Sequence, residues 1–516
     1  MRGRPPRRPP IRRRPSAREQ REQRAEATRF RRSLTLIAMS VAAPGSAQLL
    51  RGNQRMGKIA LSVWGAVICI VLFVAWRTSM NDLAKMAVQP WILTSFQIIA
   101  FILALAWVVI LIDAWRLGHP PGLNRRHRLI VVAATLGLAV LVSTPFVVAA
   151  RYAEAAHDLV VSMFPSGEAA AASNGRLNIL LLGMDSGDGR AGARPDSIHV
   201  LSVDVLTGEP ALISLPRNLE KARFPSGSPA AAEFPRGFAG DGDRSEYLLN
   251  ATWTYGEANP EMFPGPSGPG PTAVKQAVQG SLGIKVHYYV AVDLMGFRNL
   301  IDALGGVSIN VQEELPIGDK GRVLEPGVQR LDGYHALWYA RSRESTSDYD
   351  RMARQRCVLG ALMNEADPRS VLINWMELAD ASADMITTDI PRQDLGNLVD
   401  LAFDVRGQEL MTLQFVPPVI VPADPDFALI ADQTADLLNG AGRPAEDPPA
   451  ETVEASGEPS TDVTGPAADT DDATNPGDAA DGESGDRTGA DDDASTHDGY
   501  LGEDGLAGLS TVCSFE

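Results

Sequence analysis

Residues 177–183, LNILLLG, decide the fold: they form a short, nearly continuous apolar run. Runs of this length are typical of strands that are buried on both faces of a sheet. A second run, residues 198–205, alternates more in polarity, and a turn at residues 207–209 leads into a third run at 210–215. The sequence therefore predicts a meander of three strands with polar residues at the strand ends.

Helical and extended patterns alternate after this meander. Val274 and Val278 recur at helical spacing, and Gly305-Gly306 is suited to stop a helix. The predicted helices cover residues 271–282, 294–304, 333–339, 349–366, 368–385 and 393–403, and the predicted strands cover 286–293, 307–311 and 410–416. This order predicts an α/β (α+β), sandwich-like domain over residues 176–436, with a central mixed sheet flanked by helices.

Three apolar segments that precede this domain are long enough to cross a membrane. Residues 56–76, 91–115 and 129–150 each supply about 20 mostly apolar residues, which matches ~30 Å of hydrocarbon. Residues 34–50 are also apolar, but they are shorter and carry Pro44-Gly45, so we favour an interfacial or re-entrant segment over the alternative of a fourth span. A linker is expected at residues 151–175.

The distribution of arginine predicts the orientation in the membrane. Residues 1–32 hold thirteen Arg against three Glu, and we expect residues 1–33 to be a disordered cytoplasmic segment. The loop at 116–128 is also rich in Arg, whereas the loop at 77–90 carries one Arg and one Lys. Three spans then place everything after residue 150 outside a bacterial cell. Beside a membrane, the basic segment fits an orientation signal or contact with anionic membrane lipid, and we expect no nucleic-acid partner.

The C-terminal residues 437–516 differ from the rest in composition. Residues 446–516 hold twenty Asp or Glu against one Arg, so the net charge of −17 comes largely from them. Such a composition cannot offset its ordering entropy by burying apolar surface, and we expect an acidic disordered tail. Cys69, Cys357 and Cys513 show neither an even-numbered framework nor metal-binding spacing, so we expect three unrelated free thiols.

Charged side chains gather where the predicted strands and helices end. The group comprises Asp185, Arg194, Asp196, Arg217, Arg341, Arg343, Asp348, Arg351, Arg354 and Gln355. Arginine presents a planar fork of donors that holds two phosphate oxygens at once. Two carboxylates are enough to hold Mg²⁺, which often shares its coordination with substrate phosphate. For any single residue, a solvated surface position or an ordinary ion pair is the better explanation, and only the whole set points to a phosphate-rich substrate.

Five motifs in order carry a resemblance to a known family. They are LNILLLGMDSGDGRAGARPDSIHVLSVD at 177–204, ISLPRN at 213–218, VDLMGFRNLIDALGGVSINV at 292–311, LDGYHALWYARSR at 331–343 and DYDRMARQRCVL at 348–359. Together they resemble the LytR-CpsA-Psr family over about residues 176–366, with weaker likeness onward to about 422. Each motif alone is loose, and the specificity lies in their number and order.

The resemblance implies a transferase that moves a glycopolymer from a polyprenyl-pyrophosphate carrier to peptidoglycan, with an apolar pocket for the lipid. It implies that Asp185 and Asp196 coordinate Mg²⁺. The implied pyrophosphate-binding residues are Arg194, Arg217, Arg341, Arg343, Arg351 and Gln355. The implied catalytic residues are Asp348, Arg217, Arg341 and Arg343, with Asp348 either activating the acceptor hydroxyl or orienting an arginine.

One position departs from the family pattern. The family usually has Asp after the Pro-Arg pair, and Asn218 stands there in this chain. An amide keeps a hydrogen-bond acceptor but loses the charge, so acid–base or metal chemistry at this position is in doubt. Two alternatives stay open: hydrolysis of the lipid pyrophosphate by water, and a non-catalytic regulator that binds lipid-linked polymer.

Overall fold

The structure is a computed structural model that describes residues 17–119, 122–185, 194–318, 321–343, 347–365, 385–440, 506–508 and 513. Helices make up the part before the first strand. They are α1 (Ala17–Ala42), α2 (Ser46–Arg51), α3 (Gln54–Arg77), α4 (Met80–Ala87), α5 (Pro90–Leu117) and α6 (Arg125–Met163). α3, α5 and α6 contain the three predicted spans and are long and apolar enough to cross a membrane. Asn53 caps α3 by accepting from the amides of Arg55 and Met56.

The third of these helices continues past residue 150, where the sequence predicted a linker. Buried residues recur at helical spacing along α6 from Ala150, the last residue of the predicted span, to Ala153, Ala156 and Val160 beyond it. Val160 belongs to an apolar cluster that it shares with the globular domain. The linker prediction is therefore wrong as far as Met163, because it followed composition and overlooked the helical periodicity of these small apolar residues.

Residues 17–33, which the sequence predicted to be disordered, are helical. Phe30, Leu34, Ile37 and Val41 recur on one face of α1 and pack in one cluster with residues of α5 and α6. Ser33 Oγ also donates to the carbonyl of Gly118 at 2.9 Å. The prediction of disorder is wrong for residues 17–33, which belong to the same continuous helix as this apolar face although Phe30 is their only member of it. Residues 1–16 lie outside the described part of the chain.

The segment predicted to be interfacial or re-entrant, residues 34–50, is divided between α1 and α2. The chain turns at Gly45, whose φ is 97°. A Cβ at this position would lie 2.7 Å from the carbonyl oxygen of Gly57, so only glycine permits this close approach. Within the described residues, neither α1 nor α2 combines the length and hydropathy of a membrane span. The depth of this segment in the membrane stays a prediction.

The globular domain follows α6. In chain order its elements are β1 (Arg176–Met184), β2 (Pro195–Asp204), β3 (Pro210–Leu215), α7 (Pro229–Glu233), α8 (Ala251–Ala258), α9 (Pro269–Leu282), β4 (Tyr288–Asp293), α10 (Leu294–Ala303), β5 (Val307–Val311), β6 (Leu315–Ile317), β7 (Arg322–Leu324), β8 (Gly327–Leu331), α11 (Gly333–Arg341), α12 (Asp348–Glu365), β9 (Ile386–Thr388), α13 (Leu395–Val405), β10 (Met411–Gln414), α14 (Phe427–Leu438) and β11 (Leu506–Gly508). The helix predicted at 368–385 lies outside the described residues, apart from Met385.

Seven strands form the central sheet, in the order β11-β10-β3-β2-β1-β4-β9. β1 is parallel to β4, β3 is parallel to β10, and the remaining neighbours are antiparallel. One face packs against α9 and α14, and the other packs against α11, α12 and the small β5–β8 sheet. The structure therefore confirms the predicted mixed sheet flanked by helices.

A short segment near the C-terminus belongs to the folded domain. β11 pairs antiparallel with the edge strand β10, and Cys513 forms a disulfide with Cys357 of α12. The prediction of three free thiols is wrong for this pair, and Cys69 alone is free among the described cysteines. Disorder was also wrongly predicted for residues 506–508 and 513. The cysteines are 156 residues apart, and no local pattern in the sequence links positions so distant.

The globular domain also contacts the segment between the first two membrane-type helices. α4 packs against α13, and Lys85 forms an ion pair with Asp400 of α13. Val88 joins the same apolar cluster as Val160 and Leu177. The loop after α3 and the base of the globular domain therefore lie on the same side of the helical part.

Candidate active site

Five separate elements bring charged side chains to one end of the sheet. Asp185 follows β1, and Asp196 lies at the start of the antiparallel neighbour β2. Arg217 follows β3. Arg341 ends α11, and Asp348 begins α12. Strand register places these termini together, because the end of β1 is paired with the beginning of β2.

Asp196 pairs with two arginines that come from distant parts of the sequence. Its Oδ1 accepts a hydrogen bond from Arg217 NH1 at 2.6 Å. Its Oδ2 lies 3.9 Å from Arg343 NH2. The backbone carbonyl of Asp196 also accepts from Arg351 NH1 at 3.3 Å. This aspartate is therefore a common contact for three of the predicted site arginines.

Asp348 is surrounded by the same three guanidinium groups. Its Oδ1 lies 2.9 Å from Arg351 NH2, 3.6 Å from Arg343 Nε and 3.8 Å from Arg217 NH2. Arg351 is buried, and burial lowers the pKa of its guanidinium, although the neighbouring Asp348 acts in the opposite direction. The carboxylate therefore holds three arginines in a fixed arrangement.

Asp185 and Arg341 complete the group. Arg341 NH2 donates to Asp185 Oδ1 at 3.3 Å. This pair lines the same cavity as Asp196 and Arg351. The structure therefore brings together seven of the predicted site residues, namely Asp185, Asp196, Arg217, Arg341, Arg343, Asp348 and Arg351. We call this set the arginine–aspartate cradle. Its four guanidinium groups exceed its three carboxylates by one positive charge, which suits an anionic ligand.

Two predicted head-group residues have other contacts. The guanidinium of Arg194 bonds to the hydroxyl of Thr254 and the carbonyl of Ser245, at 3.3 and 3.2 Å. Gln355 donates from Nε2 to the carbonyl of Ala340 at 3.2 Å. Among the described residues, Arg194 forms no ion pair with the cradle, whereas the neutral amide Gln355 lines the same cavity as Asp185 and Arg341. A contact of either side chain with a head group stays a prediction.

A largely apolar cavity of about 260 Å³ opens beside the cradle, between the sheet and the helices α10, α11 and α12. Apolar side chains from both the sheet and these helices line it, including Leu181, Val290, Val292, Phe297, Leu337 and Leu362. Asp185, Asp196, Arg341 and Arg351 line one part of the same cavity. A charged group and an apolar chain of one amphipathic molecule would thus find their complements in one place.

Sequence reasoning missed His199 in the wall of this cavity. Its Nδ1 lies 2.8 Å from Ser214 Oγ on the next strand. Burial, with a further contribution from the charge of Arg356, lowers the pKa of His199 to about 4, so the imidazole is neutral at pH 7. The alternating pattern of β2 gave no signal for it, because Ile198 and Val200 are the apolar positions and His199 falls on the opposite, polar-looking face.

The donor set at the cavity is compatible with Mg²⁺. Among the described residues, no group of three or more His, Cys, Asp or Glu is arranged to hold a metal ion. Mg²⁺ usually takes only one or two protein carboxylates and completes its shell with water and substrate phosphate. Asp185 and Asp196 line the same cavity and match that requirement.

The fold and the cradle define a class: an α/β domain that carries a cationic cleft over an apolar cavity and is joined to membrane-type helices. The LytR_cpsA_psr family model matches residues 148–417, more than half of the chain. This protein belongs to that family, as the five motifs indicated.

Curated relatives share only part of their length with this chain. A polyisoprenyl-teichoic acid–peptidoglycan teichoic acid transferase TagU from Oceanobacillus iheyensis is 30% identical over 43% of this chain and 62% of the relative. The regulatory protein MsrR from Staphylococcus aureus strain COL is 27% identical over 48% of this chain and 65% of the relative. The matches therefore span less than two thirds of these proteins.

Solved structures also match this chain at low identity. Bacillus subtilis TagV is 22% identical, with a TM-score of 0.38, over 52% of this chain and 98% of that one. A TagT structure described as bound to LI-WTA is 20% identical, with a TM-score of 0.36, over 52% of this chain and 92% of that one.

Proposed function

We propose that this protein is a membrane-anchored phosphotransferase that moves a glycopolymer from a polyprenyl-pyrophosphate carrier to peptidoglycan outside the bacterial cell. The observation that carries the proposal is the position of the arginine–aspartate cradle at an apolar cavity. A polyprenyl pyrophosphate has the matching chemistry, because it joins an uncharged hydrocarbon to a diphosphate. Family membership and the relative named as a teichoic acid transferase support the same reaction.

The cradle provides what phosphoryl transfer requires from a protein. Such reactions need positioning of the groups and stabilisation of charge on the transferred phosphoryl group, with little covalent help. Arg217, Arg341, Arg343 and Arg351 would hold the diphosphate oxygens, with Arg forks binding two oxygens each. Asp185 and Asp196 would hold Mg²⁺. When bound, this ion supplies positive charge that neutralises the diphosphate.

The reaction exchanges one phosphorus–oxygen bond for another. A sugar hydroxyl of the acceptor attacks the phosphorus that carries the polymer. The new bond forms while the bond to the polyprenyl phosphate breaks, and the hydroxyl proton is released. With water as the acceptor, the same site would act as a hydrolase.

Asp348 fits an orienting role better than a role as base. Its Oδ1 is already in contact with Arg351 and near Arg217 and Arg343. This oxygen is committed to the arginines, so it is better placed to hold them than to contact an acceptor hydroxyl. Asp348→Asn keeps the size and one acceptor. The orienting role predicts weakened pyrophosphate binding for this variant, and the base role predicts unchanged binding with lost turnover.

Several features support the proposed placement outside the cell. Arginines concentrate in residues 1–32 and in the loop before α6. The segment between α3 and α5 packs on the globular domain, so both lie on one side of the helices. A disulfide within the globular domain also fits an oxidising compartment outside the cytoplasm.

A reconstituted assay tests the proposal. The full chain in detergent would receive a synthetic polyprenyl-pyrophosphate-linked glycan, with and without peptidoglycan and Mg²⁺, and the products would be separated. We expect acceptor-linked product that requires Mg²⁺. Arg217→Ala and Arg341→Ala should each lower turnover on the order of 100-fold, the usual effect of removing a donor to a developing charge.

A matched control and two outcomes make the assay decisive. Arg223→Ala removes an arginine that lies over the ring of Phe427, on the other face of the sheet, and should leave turnover unchanged. Turnover of the lipid-linked glycan at the same rate without peptidoglycan would favour the hydrolase. Lipid binding without any turnover would favour a non-catalytic regulator, a reading that the exposed Asn218 beside the cradle keeps open.

A further inference from the structure

The C-terminal end of α11 receives its hydrogen bonds from the neighbouring helix α12. The last carbonyls of a helix have no partner within the helix and need one from outside. Arg354 Nε donates to the carbonyl of Tyr339 at 2.9 Å, and its NH2 donates to the carbonyl of Ser342. The carbonyl between them, of Ala340, accepts from Gln355 at 3.2 Å. One guanidinium and one amide thus satisfy three carbonyls.

This contact fixes the segment that carries two cradle arginines. Arg341 and Arg343 lie on either side of Ser342, whose carbonyl accepts a hydrogen bond from Arg354. The hydroxyl of Ser342 donates to the carbonyl of Pro316 at 2.8 Å, which holds the segment from a second side. The backbone between the two arginines is therefore attached at several points to elements distant in the sequence.

Arg354 itself is turned toward backbone. Arg351 and Gln355 of α12 line the apolar cavity, whereas Arg354 is not among the described residues that line it. Burial lowers the pKa of Arg354, but a guanidinium stays charged at neutral pH. A half-buried cation at a helix C-terminus is favourable, because it faces the negative end of the helix dipole.

We propose that Arg354 is a positioning residue, which holds the end of α11 so that Arg341 and Arg343 point at the substrate diphosphate. The proposal rests on the proposed function, since it assumes that these two arginines bind a diphosphate. The planar fork of Arg354 spans two carbonyls that are three residues apart, and a lysine can reach only one of them with a single point charge. Arg354→Lys should therefore keep the charge but lose part of the effect.

The test measures the affinity of the purified full chain for geranylgeranyl pyrophosphate, a short polyprenyl diphosphate. A double-mutant cycle combines Arg354→Met with Arg341→Ala. If Arg354 acts through Arg341, Arg354→Met weakens binding on the order of 10-fold or more in the wild-type background but much less in Arg341→Ala, since coupled residues are not additive. The affinity of Arg354→Lys should lie between those of the wild type and Arg354→Met. A merely structural role lowers affinity by the same factor in both backgrounds.

Arg330 offers a matched control. It also donates to two carbonyls, of Gly305 at 2.8 Å and Gly306 at 3.1 Å, but it lies away from the cradle. Arg330→Met should leave the affinity unchanged. Hydrogen exchange at the amides of residues 339–343 should become faster in Arg354→Met and stay unchanged in Arg330→Met, which separates local loosening from global unfolding.

The outcomes distinguish this inference from the proposed function. If the wild-type chain fails to bind geranylgeranyl pyrophosphate, the proposed function fails. If the wild type binds, Arg341→Ala weakens binding and Arg354→Met does not, only the positioning role of Arg354 is overturned. An equal loss in both backgrounds of the cycle overturns it as well.

Discussion

Replacing Cys513 by alanine removes the disulfide to Cys357 and should destabilise the globular domain. The bond joins residues 156 positions apart, and closing a loop of that length is worth roughly 5 kcal/mol in the chain-entropy account. Removal of native disulfides typically costs about 2–5 kcal/mol. For a domain of this size, that loss corresponds to a fall in melting temperature of about 5–15 °C.

The assay is thermal unfolding of the purified full chain in detergent, followed by intrinsic fluorescence, with and without reductant. Cys357→Ala should give a similar melting temperature, and the double variant should add little, because one bond is lost in every case. Cys69→Ala is the matched control, since Cys69 is a free cysteine in α3. The reasoning is refuted if Cys513→Ala melts within about 1 °C of the wild type while the disulfide is verified in the latter.

Two further predictions concern buried polar groups under α12. The pKa of His199 is lowered from 6.5 to about 4. As the pH falls, this histidine is therefore protonated in the unfolded chain before it is protonated in the folded chain. The free energy of unfolding should then fall by about 3 kcal/mol as the pH drops from 6.5 to 4. His199→Gln should flatten this pH dependence, and an unchanged slope in chemical denaturation would contradict the assignment. Arg356 is fully buried, and burial lowers its pKa to about 10. Among the described residues, its guanidinium donates a hydrogen bond to the hydroxyl of Thr412. Arg356→Met should be neutral or stabilising by about 1–3 kcal/mol in the same assay, and strong destabilisation would show that the guanidinium has an ionic partner.

The membrane and sheet segments were predictable because their signals are local. A run such as LNILLLG at 177–183 identifies a buried strand by composition alone. Three long apolar segments identified helices that could span a bilayer. Where a charged segment continues an apolar helix, as in α1, or where small residues masked the helical periodicity, as in the last turns of α6, the prediction failed.

The candidate site was predictable as a set of residues but not as an arrangement. Motif order named the members of the cradle, yet it gave Arg194 and Gln355 the same status as Arg217. Only the folded chain shows that the first two bond to nearby backbone and hydroxyl groups, while Arg217 bridges Asp196 and Asp348. His199 and the positioning contacts of Arg354 had no separate signal, because side-chain direction depends on packing.

The sequence by itself determined the membrane-type helices, the mixed α/β domain and the family to which the chain belongs. Each of these depends on the composition or order of residues close together in the chain. Tertiary structure alone decided the convergence of seven charged side chains, the pairing of Cys357 with Cys513 and the attachment of β11 to the sheet edge. These features join residues that are far apart in sequence, and their energies depend on distances that exist only once the sheet and its helices have packed.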